Sequence, residues 1–563
     1  VKAYMPEDSG GMAGRRREFL KAVSATAGAT LVAGCSGGGG GESSGGEGTT
    51  GGGSSGGSSS DGGDKHGGTM TFALGDSPRN LSYWQSYDTI TNNLTTQIWD
   101  SLLEYSEPDM KLTPALAKDW KTEDKTTFVY NLREGVTFHD GSEMTTDDVI
   151  ASAKLTQRDE AKSPLAWMFD SVDSFEKVDD HTLKVNLTEP DAAFQFVPAT
   201  TAWCIAPKAQ IEKKGTDLAQ DPVGAGPFKL DEWKSGNYVK LVRHDEYWDD
   251  DLPYLDGARF EIVPNGTGRI TGMKNGDYGG TNDIPIDQLS VLDKIDNVDL
   301  YTVTSFQTSF VVFNTTKEPF GNADVRRALS YAVDTKSITE STVGKYGTDA
   351  TSMLPSNLIG HVKPGDLDYD GFPYDTEKAK SMLDDAGLTG SPRFETTLLT
   401  PKDTVRRKPA LAIQQDLSQI GVKVNVKEVS TSQYIESFWG ETDMSKREPM
   451  QMGLWASDFP SPDAILTPLF QSEQLPPGNN WFAYKNDQVD ELIQKFKTTL
   501  DTDQRAKYAK QANQIIVDEA PGIWIFHPDT TKAFNTKYKG YAGQVPAFVT
   551  YYTTFLRDMY IAE

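Results

Sequence analysis

The chain is poor in the residues that build disulfide frameworks and metal sites. Its 563 residues include two cysteines, Cys35 and Cys204, and six histidines. Two cysteines permit at most one disulfide, so the folded part must depend on core packing. No two histidines have the spacing of a zinc-binding pair. The histidines are His66, His139, His181, His244, His361 and His527. We therefore predict no metal and no cofactor.

Sequence signatures of nucleotide binding and of hydrolysis are also missing. From residue 69 onwards there is no Walker loop and no Gly-x-Ser-x-Gly nucleophile elbow. Residues 266–272 are rich in glycine, but their spacing misses the dinucleotide fingerprint and indicates a turn before a helix. A chain without a recognisable catalytic group is expected to be a binding protein and not an enzyme. A surface hydrolase is a further hypothesis, which peptide turnover would be needed to support.

Positive charge is scarce as well. The chain has 81 Asp and Glu against 55 Lys and Arg, a net charge of −26, and the excess is spread along its length. A field of this sign repels nucleic acid and anionic lipid, so we expect neither as a binding partner. Spread acidity resembles the surfaces of proteins from high-salt organisms and predicts a halophilic, haloarchaeal source. An electrostatic funnel for cationic ligands is the alternative interpretation.

The first 35 residues are predicted to be an export signal. Arg16-Arg17 followed by Phe-Leu-Lys resembles a twin-arginine signal. The weakly apolar stretch at 22–34 is shorter than the roughly 20 residues of a membrane span, which favours a signal peptide. Val-Ala-Gly-Cys resembles a lipobox and predicts cleavage before Cys35 and acylation of its sulfur. If Cys35 is acylated, Cys204 has no disulfide partner and is expected to be a small core residue.

Residues 36–68 are nearly all Gly, Ser, Glu, Asp and Thr. Such a segment cannot bury a core and is predicted to be a disordered linker. A Gly/Ser coil of this length spans roughly 30 Å, enough to let a folded body reach a membrane partner. We therefore expect the protein at the outer face of the cytoplasmic membrane, held there by a lipid.

The remainder, from residue 69, alternates strand and helix patterns. Period-two alternation predicts strands at 69–74, 128–132, 183–187 and 238–242. From about residue 322, helices alternate with strands. Strands are predicted at 394–400, at 422–429 and at 523–526, and Pro528 is expected to end the last of them. Thr145 and Asp375 are predicted helix N-caps. This alternation favours an α/β fold with helices covering a sheet.

Several motifs, in order along residues 69–563, then resemble one family. They are Leu112 to Trp120, Tyr130 to Gly141, Gly224 to Phe228, Asp324 to Leu329 and Trp455 to Asp458. The chain resembles the solute-binding proteins of ABC importers, in the dipeptide- and oligopeptide-binding group (family 5). Gly276 to Gly280 departs from the family pattern, in which an apolar strand follows directly.

This resemblance implies a periplasmic-binding-protein-like α/β fold with two lobes joined by a hinge. Lobe one is expected at 69–305 and 524–563, with an extra subdomain near 107–200, and lobe two at 306–523. The implied function is capture of di- or oligopeptides in an interlobe cleft and delivery to a membrane permease, by a monomer. Related proteins bind oligosaccharides or nickel chelates on the same fold. A sensory receptor that presents ligand to a membrane transducer is another alternative.

The resemblance also implies a ligand contact. Peptide binders of the family hold the ligand's α-ammonium with the Asp of a Trp-x-x-Asp motif, here Asp458; capping of the following turn is the alternative role. Aromatic side chains form the second set of candidates, although each of them also suits a core. This set comprises Tyr83, Trp84, Trp203, Trp439, Trp455 and Trp481. Arg133, Arg326 and Arg327 are interpreted as structural or surface residues.

Overall fold

The computed structural model describes residues 65–86, 88–106, 111–282, 284–366, 371–476, 478–541 and 555–562. The predicted export signal with Arg16 and Arg17, the acylation site Cys35 and the linker up to residue 64 lie outside the described residues. Gly67 and Gly68 already bind the folded body, since their N–H groups donate to the Tyr254 carbonyl at 2.8 Å and to the Asp256 carboxylate at 2.7 Å. None of the helices in these ranges combines the length and the apolar character that a membrane crossing requires.

Strands and helices alternate along most of these ranges. The strands are β1 Thr69–Leu74, β2 Leu103–Ser106, β3 Lys111–Pro114, β4 Ala117–Thr122, β5 Thr127–Leu132, β6 Val172–Asp179, β7 Thr182–Leu187, β8 Phe228–Lys234, β9 Tyr238–Arg243, β10 Gly257–Ile262, β11 Gly280–Thr281, β12 Val298–Thr304, β13 Gln307–Phe313, β14 Gly347–Asp349, β15 Phe394–Pro401, β16 Val422–Val429, β17 Met450–Ala456, β18 Gly522–Asn535, β19 Tyr538–Lys539 and β20 Tyr560–Ile561. The helices are α1 Thr89–Ile98, α2 Thr146–Gln157, α3 Lys208–Lys214, α4 Gly266–Asn275, α5 Leu289–Leu292, α6 Ala323–Tyr331, α7 Thr335–Thr342, α8 Thr376–Asp385, α9 Thr404–Gln419, α10 Thr431–Ile435, α11 Asp463–Phe470, α12 Asp487–Lys497 and α13 Thr502–Glu519.

The strands and helices predicted from periodicity are confirmed. The N-terminal strand has the predicted bounds, and so does β16. Helix α2 begins after Thr145, whose N–H donates to the Asp148 carboxylate at 2.8 Å, and α8 begins at the Asp375 cap. The glycine-rich run at 266–272 is itself helical, because Asn265 caps the start of α4 by accepting the Gly268 N–H at 3.0 Å.

One long strand joins two halves of the main sheet. The sheet runs in the order β16-β15-β17-β13-β18-β11-β1-β10-β9-β8, and β12 and β14 also pair with β18. The first part of β18 pairs with β13 and β14, and the part from Asp529 onwards pairs with β12 and β11. The chain therefore passes from one half of the sheet to the other within a single strand.

The prediction that this strand ends at Pro528 is wrong. Proline lacks an N–H donor and usually interrupts a ladder. Pairing of β18 with β13 extends to Phe526, and pairing with β12 starts at Asp529, so Pro528 lies where the strand changes partner. Pro528 lies outside both of these ladders and opposite Gly347 in the β14 ladder, and the strand continues to Asn535.

A separate four-stranded sheet, in the order β4-β5-β7-β6, packs against α2. Its core is rich in aromatic residues and includes Tyr130, Phe169, Phe194 and Trp203. Phe459, from the segment after β17, belongs to the same core although it is far away in sequence. This contact brings the segment after β17 against the smaller sheet.

The departure of Gly276 to Gly280 from the family pattern is explained by packing. Gly276 ends α4 with a positive φ of 82°. A Cβ on Gly279 would lie 2.5 Å from the Tyr538 ring, and one on Gly280 would lie 2.8 Å from Met70. The backbone therefore approaches these side chains more closely than any larger residue allows. The strand that follows, β11, is only two residues long.

Candidate ligand-binding site

The carboxylate of Asp458 lies just beyond the end of β17. This strand pairs with β13 as far as Ala456, and the next N–H, of Ser457, donates to the Phe306 carbonyl at 3.2 Å. Two prolines in the following segment, Pro460 and Pro462, prevent the strand from continuing. The chain turns away from the sheet here, and Asp458 is left 2% exposed.

Asp458 lines a cavity of about 190 Å³. One side consists of the segment after β17 together with α11 and the end of α12. The other side consists of residues 167–171 and 188–197, which flank β6 and β7 in the smaller sheet. The cavity therefore lies between parts of the chain that are more than 250 residues apart.

Aromatic rings form part of the cavity wall. Phe459 lies parallel to Phe196, with ring centroids 5.8 Å apart and planes inclined by 10°, and its centroid is 6.0 Å from that of Trp167. Phe194 lines the same space. Such rings supply contact area and, through their negative faces, attract cationic groups.

The two sides of the cavity are in direct contact. The N–H of Ala192 donates to the Lys497 carbonyl, at the end of α12, at 2.7 Å. The guanidinium carbon of Arg505, on α13, lies 5.7 Å from the centroid of Phe196. Together with the stacking of Phe459, these contacts hold the two sides of the cavity against each other.

A buried ion pair supports the floor of the cavity. Arg505 and Asp463 are 3% and 7% exposed, and the guanidinium donates to the Asp463 carboxylate and to the Ser461 hydroxyl. The Ser461 hydroxyl also donates to Asp463. This network holds the segment that carries Asp458 against α13.

A carboxylate faces this network from the opposite side. Asp191 accepts hydrogen bonds from the Ser171 hydroxyl at 2.8 Å and from the Ala193 N–H at 2.9 Å. Burial raises the pKa of Asp191, and the negative charge of Asp463 raises it further, against the hydrogen bond from Ser171. The site can therefore offer carboxylates to a cationic group from both sides.

Two of the aromatic candidates lie close to this site but not in its wall. Trp455 donates its indole N–H to the Ala464 carbonyl at 2.9 Å, and its ring meets that of Trp481 at 5.4 Å between centroids. Both are at most 3% exposed and belong to the core between β13, β17 and the helices α11 to α13. The side chain of Trp439 lies outside the described residues. Ligand contact by these three tryptophans stays a prediction.

The other three aromatic candidates are fully buried elsewhere. Tyr83 donates its hydroxyl to the Ser152 carbonyl at 3.1 Å and packs edge-on against Trp84, in the core around β1 and α1. Trp203 donates to the Val149 carbonyl at 3.1 Å in the core of the smaller sheet. None of the three lines the cavity beside Asp458. Their contact with ligand also stays a prediction.

Arg326 and Arg133 make contacts that agree with the interpretation of the motif arginines as structural or surface residues. Arg326 is buried and donates to the backbone carbonyls of Phe320, Glu519 and Ala520. Arg133 donates to the Ala115 carbonyl at 2.6 Å and lies over the Trp248 ring. Cys204 is buried in a hydrophobic core, as predicted.

Sequence reasoning missed much of the site. Asp191, Phe459, Asp463 and Arg505 come from three separated segments, and no local pattern marks them as neighbours. One signal was present: Pro462 followed by Asp463 and an apolar run is a helix start with an acidic residue in the first turn. That signal predicts α11, but not the ion pair to α13.

The chain belongs to the bacterial extracellular solute-binding proteins, family 5, whose middle region matches residues 111–476. The glutathione-binding protein GsiB of Escherichia coli (strain K12) is 29% identical over 462 residues, which cover 81% of this chain and 88% of that protein. The resemblance inferred from the motifs is thereby confirmed at the level of the family. Members of this kind are solute-binding receptors.

Solved structures of similar proteins confirm the periplasmic-binding-protein-like α/β fold. DppA of Helicobacter pylori, an ABC transporter-associated periplasmic binding protein solved with the peptide STSA, matches with a TM-score of 0.74 at 25% identity, covering 89% of this chain and 99% of that one. NikZ of Campylobacter jejuni, solved with Ni(L-His), matches with a TM-score of 0.71 at 22% identity, covering 87% and 99%. At this identity, the match to NikZ shows a similarity of fold alone.

Proposed function

We propose that this protein captures short peptides in the cavity beside Asp458 and delivers them to the permease of an ABC importer. The α-ammonium of the peptide pairs with the Asp458 carboxylate. The observation that carries the proposal is the burial of Asp458 in the wall of the cavity, where it is 2% exposed. A buried carboxylate pairs well with an ammonium group, by charge and by hydrogen bonding.

The size of the cavity supports a short ligand. Its volume of about 190 Å³ is below the roughly 300–1,000 Å³ of pockets for drug-sized molecules. In the closed arrangement the cavity therefore suits a short peptide or the N-terminal end of a longer one. DppA and GsiB, whose names or structures refer to a peptide and to glutathione, are consistent with a peptide ligand.

Entry of the ligand requires the two sides to separate. We infer that lobe one (69–305 and 524–563, with its subdomain at 107–200) and lobe two (306–523) move about a hinge. The β13 ladder ends at Phe526 and the β12 ladder begins at Asp529, with β14 pairing across 526–528, so a hinge within β18 would lie a few residues after the boundary at 523/524. Closure then excludes water from Asp458 and strengthens its pairing with an ammonium.

A ligand panel tests the proposal against the alternatives on the same fold. The purified protein is titrated by calorimetry and by thermal shift with a pool of di- and tripeptides, with oligosaccharides and with a nickel–histidine complex. We expect heat of binding and a rise of a few degrees in Tm with peptides alone, since a ligand that binds only the folded state stabilises it. Binding of the saccharide or of the nickel complex without any peptide binding would overturn the peptide assignment.

Export and anchoring form a separate part of the proposal. Replacing Arg16 and Arg17 with lysine is expected to leave the protein in the cytoplasm, since the twin-arginine pair is the export address. Cys35→Ser is expected to be exported but recovered mainly in the medium, because the acyl chains are lost. Cell fractionation and immunoblotting measure both results. Normal export of the double lysine variant, or a membrane-bound Cys35→Ser, would contradict this part alone.

A further inference from the structure

The cavity beside Asp458 has a strongly one-sided charge. Five of the residues that line it carry a carboxylate, and one, Lys497, carries an ammonium group. The five are Asp170, Glu189, Asp191, Asp458 and Asp463. Arg505, which lies outside the lining, pairs with Asp463, and the lining still carries more negative than positive charge.

The acidity of the cavity continues into its buried floor. Asp170 and Glu189 are exposed and lie at the mouth, and Asp191 is partly buried. Asp458 and Asp463 are 2% and 7% exposed. Acidic residues on an exposed surface are solvated at little cost, whereas buried carboxylates need a cation or donors nearby. The net charge of −26 of the whole chain therefore does not account for the carboxylates on the floor.

The Asp463 carboxylate can accept more hydrogen bonds than its neighbours donate. One carboxylate oxygen accepts from Arg505 and from Ser461. The other, Oδ1, is buried and has no hydrogen-bond partner among the described residues. Leaving a buried acceptor unsatisfied costs free energy. A donor supplied by a ligand in the cavity would remove this cost.

The carboxylates meet across the closing surfaces. Asp191 belongs to the side formed by the smaller sheet, and Asp463 belongs to α11 on the other side. The charge of Asp463 is close enough to raise the pKa of Asp191. Arg505 offsets part of the repulsion between these like charges, and a second positive charge on the ligand would offset more of it. The rings of Trp167 and Phe459 beside them suit the apolar stem and the charged end of a basic side chain.

We infer that the cavity selects cationic peptides, in which a lysine or arginine side chain near the N-terminus adds a positive charge to the α-ammonium. This inference rests on the proposed function. The basic side chain pairs with Asp191 and with the unpartnered oxygen of Asp463, while Asp458 holds the α-ammonium.

Three tripeptides of equal length test the selectivity. Ala-Lys-Ala, Ala-Gln-Ala and Ala-Glu-Ala are titrated into the purified protein by calorimetry at one fixed ionic strength. We expect Ala-Lys-Ala to bind about tenfold or more tightly than Ala-Gln-Ala, and Ala-Glu-Ala to bind most weakly. Equal affinities, or tightest binding of Ala-Glu-Ala, would overturn the inference and leave the peptide-binding proposal standing. Binding of no tripeptide at all would count against the peptide-binding proposal itself.

A matched pair of variants tests whether Asp191 is responsible for the selectivity. Asp191→Asn keeps the size of the side chain and is expected to reduce the preference for Ala-Lys-Ala over Ala-Gln-Ala to about threefold or less. Asp173→Asn removes an exposed carboxylate on β6 and is expected to leave the preference unchanged. An unchanged preference in Asp191→Asn, with the wild-type Tm retained, would contradict the role assigned to Asp191. If both variants lose the preference for Ala-Lys-Ala equally, the preference comes from the general electrostatic field of the protein. The contact assigned to Asp191 would then be wrong.

Discussion

Replacing Arg505 with methionine is expected to lower the free energy of unfolding by about 3–5 kcal/mol. Methionine keeps much of the apolar stem but removes the guanidinium that Asp463 and Ser461 share. The Asp463 carboxylate, 7% exposed, would then remain buried without its counter-charge. The loss is measured by chemical denaturation of the ligand-free protein, with the midpoint and the m-value reported together.

Two comparisons separate the loss of the charge pair from a general packing defect. A double variant, Arg505→Met with Asp463→Leu, removes both charges and is expected to regain much of the lost stability, because a buried pair is often replaceable by apolar residues. Lys495→Met breaks an exposed pair with Glu491 and is expected to leave the midpoint of unfolding nearly unchanged. If the double variant is no more stable than Arg505→Met, the destabilisation does not come from an unpaired carboxylate.

Asp458→Asn is expected to weaken peptide binding by at least about 30-fold, or about 2 kcal/mol. Asparagine has nearly the same shape but no charge, so the ligand's ammonium would be desolvated in the cavity without a counter-ion. The effect should fall on the dissociation constant and leave Tm of the free protein close to that of the wild type. Calorimetry with the tightest tripeptide measures it, and Asp173→Asn serves as the exposed control.

Acetylation of the peptide provides the second half of a double-mutant cycle. An N-acetylated peptide lacks the α-ammonium, so it should bind the wild type as weakly as the free peptide binds Asp458→Asn. The acetylated peptide should lose little further affinity on going to the variant, because the interaction has already been removed. Additive losses would show that Asp458 and the ammonium act independently, and the assignment would then be wrong.

Local sequence patterns predicted most of the strands and helices that frame the site. Alternation over a few residues placed β1, β5, β7 and β9, and capping residues placed α2 and α8. The error at Pro528 has a tertiary cause: whether a missing N–H disrupts a strand depends on which neighbour faces it. That neighbour changes at this residue, and only the sheet as a whole shows the change.

The candidate site was predictable only in part. Asp458 follows from a motif of four residues, and the structure places its carboxylate in a cavity wall. The aromatic candidates were chosen by residue type. A large ring is as well suited to a core as to a cavity wall, and Tyr83, Trp84 and Trp203 are all fully buried in cores. Phe459, directly after the motif aspartate, is the ring that joins the two sides.

The sequence by itself determined the class of fold and the family, because periodicity, capping and motif order act over short distances along the chain. It also determined an acidic chain with 26 more negative than positive charges. Only the tertiary structure decided which of these charges meet. Asp191, Asp458 and Asp463 share one cavity because its two sides come from distant segments of the chain. Local sequence does not encode that juxtaposition, since it depends on long-range packing of Phe459 and on the buried charge of Arg505.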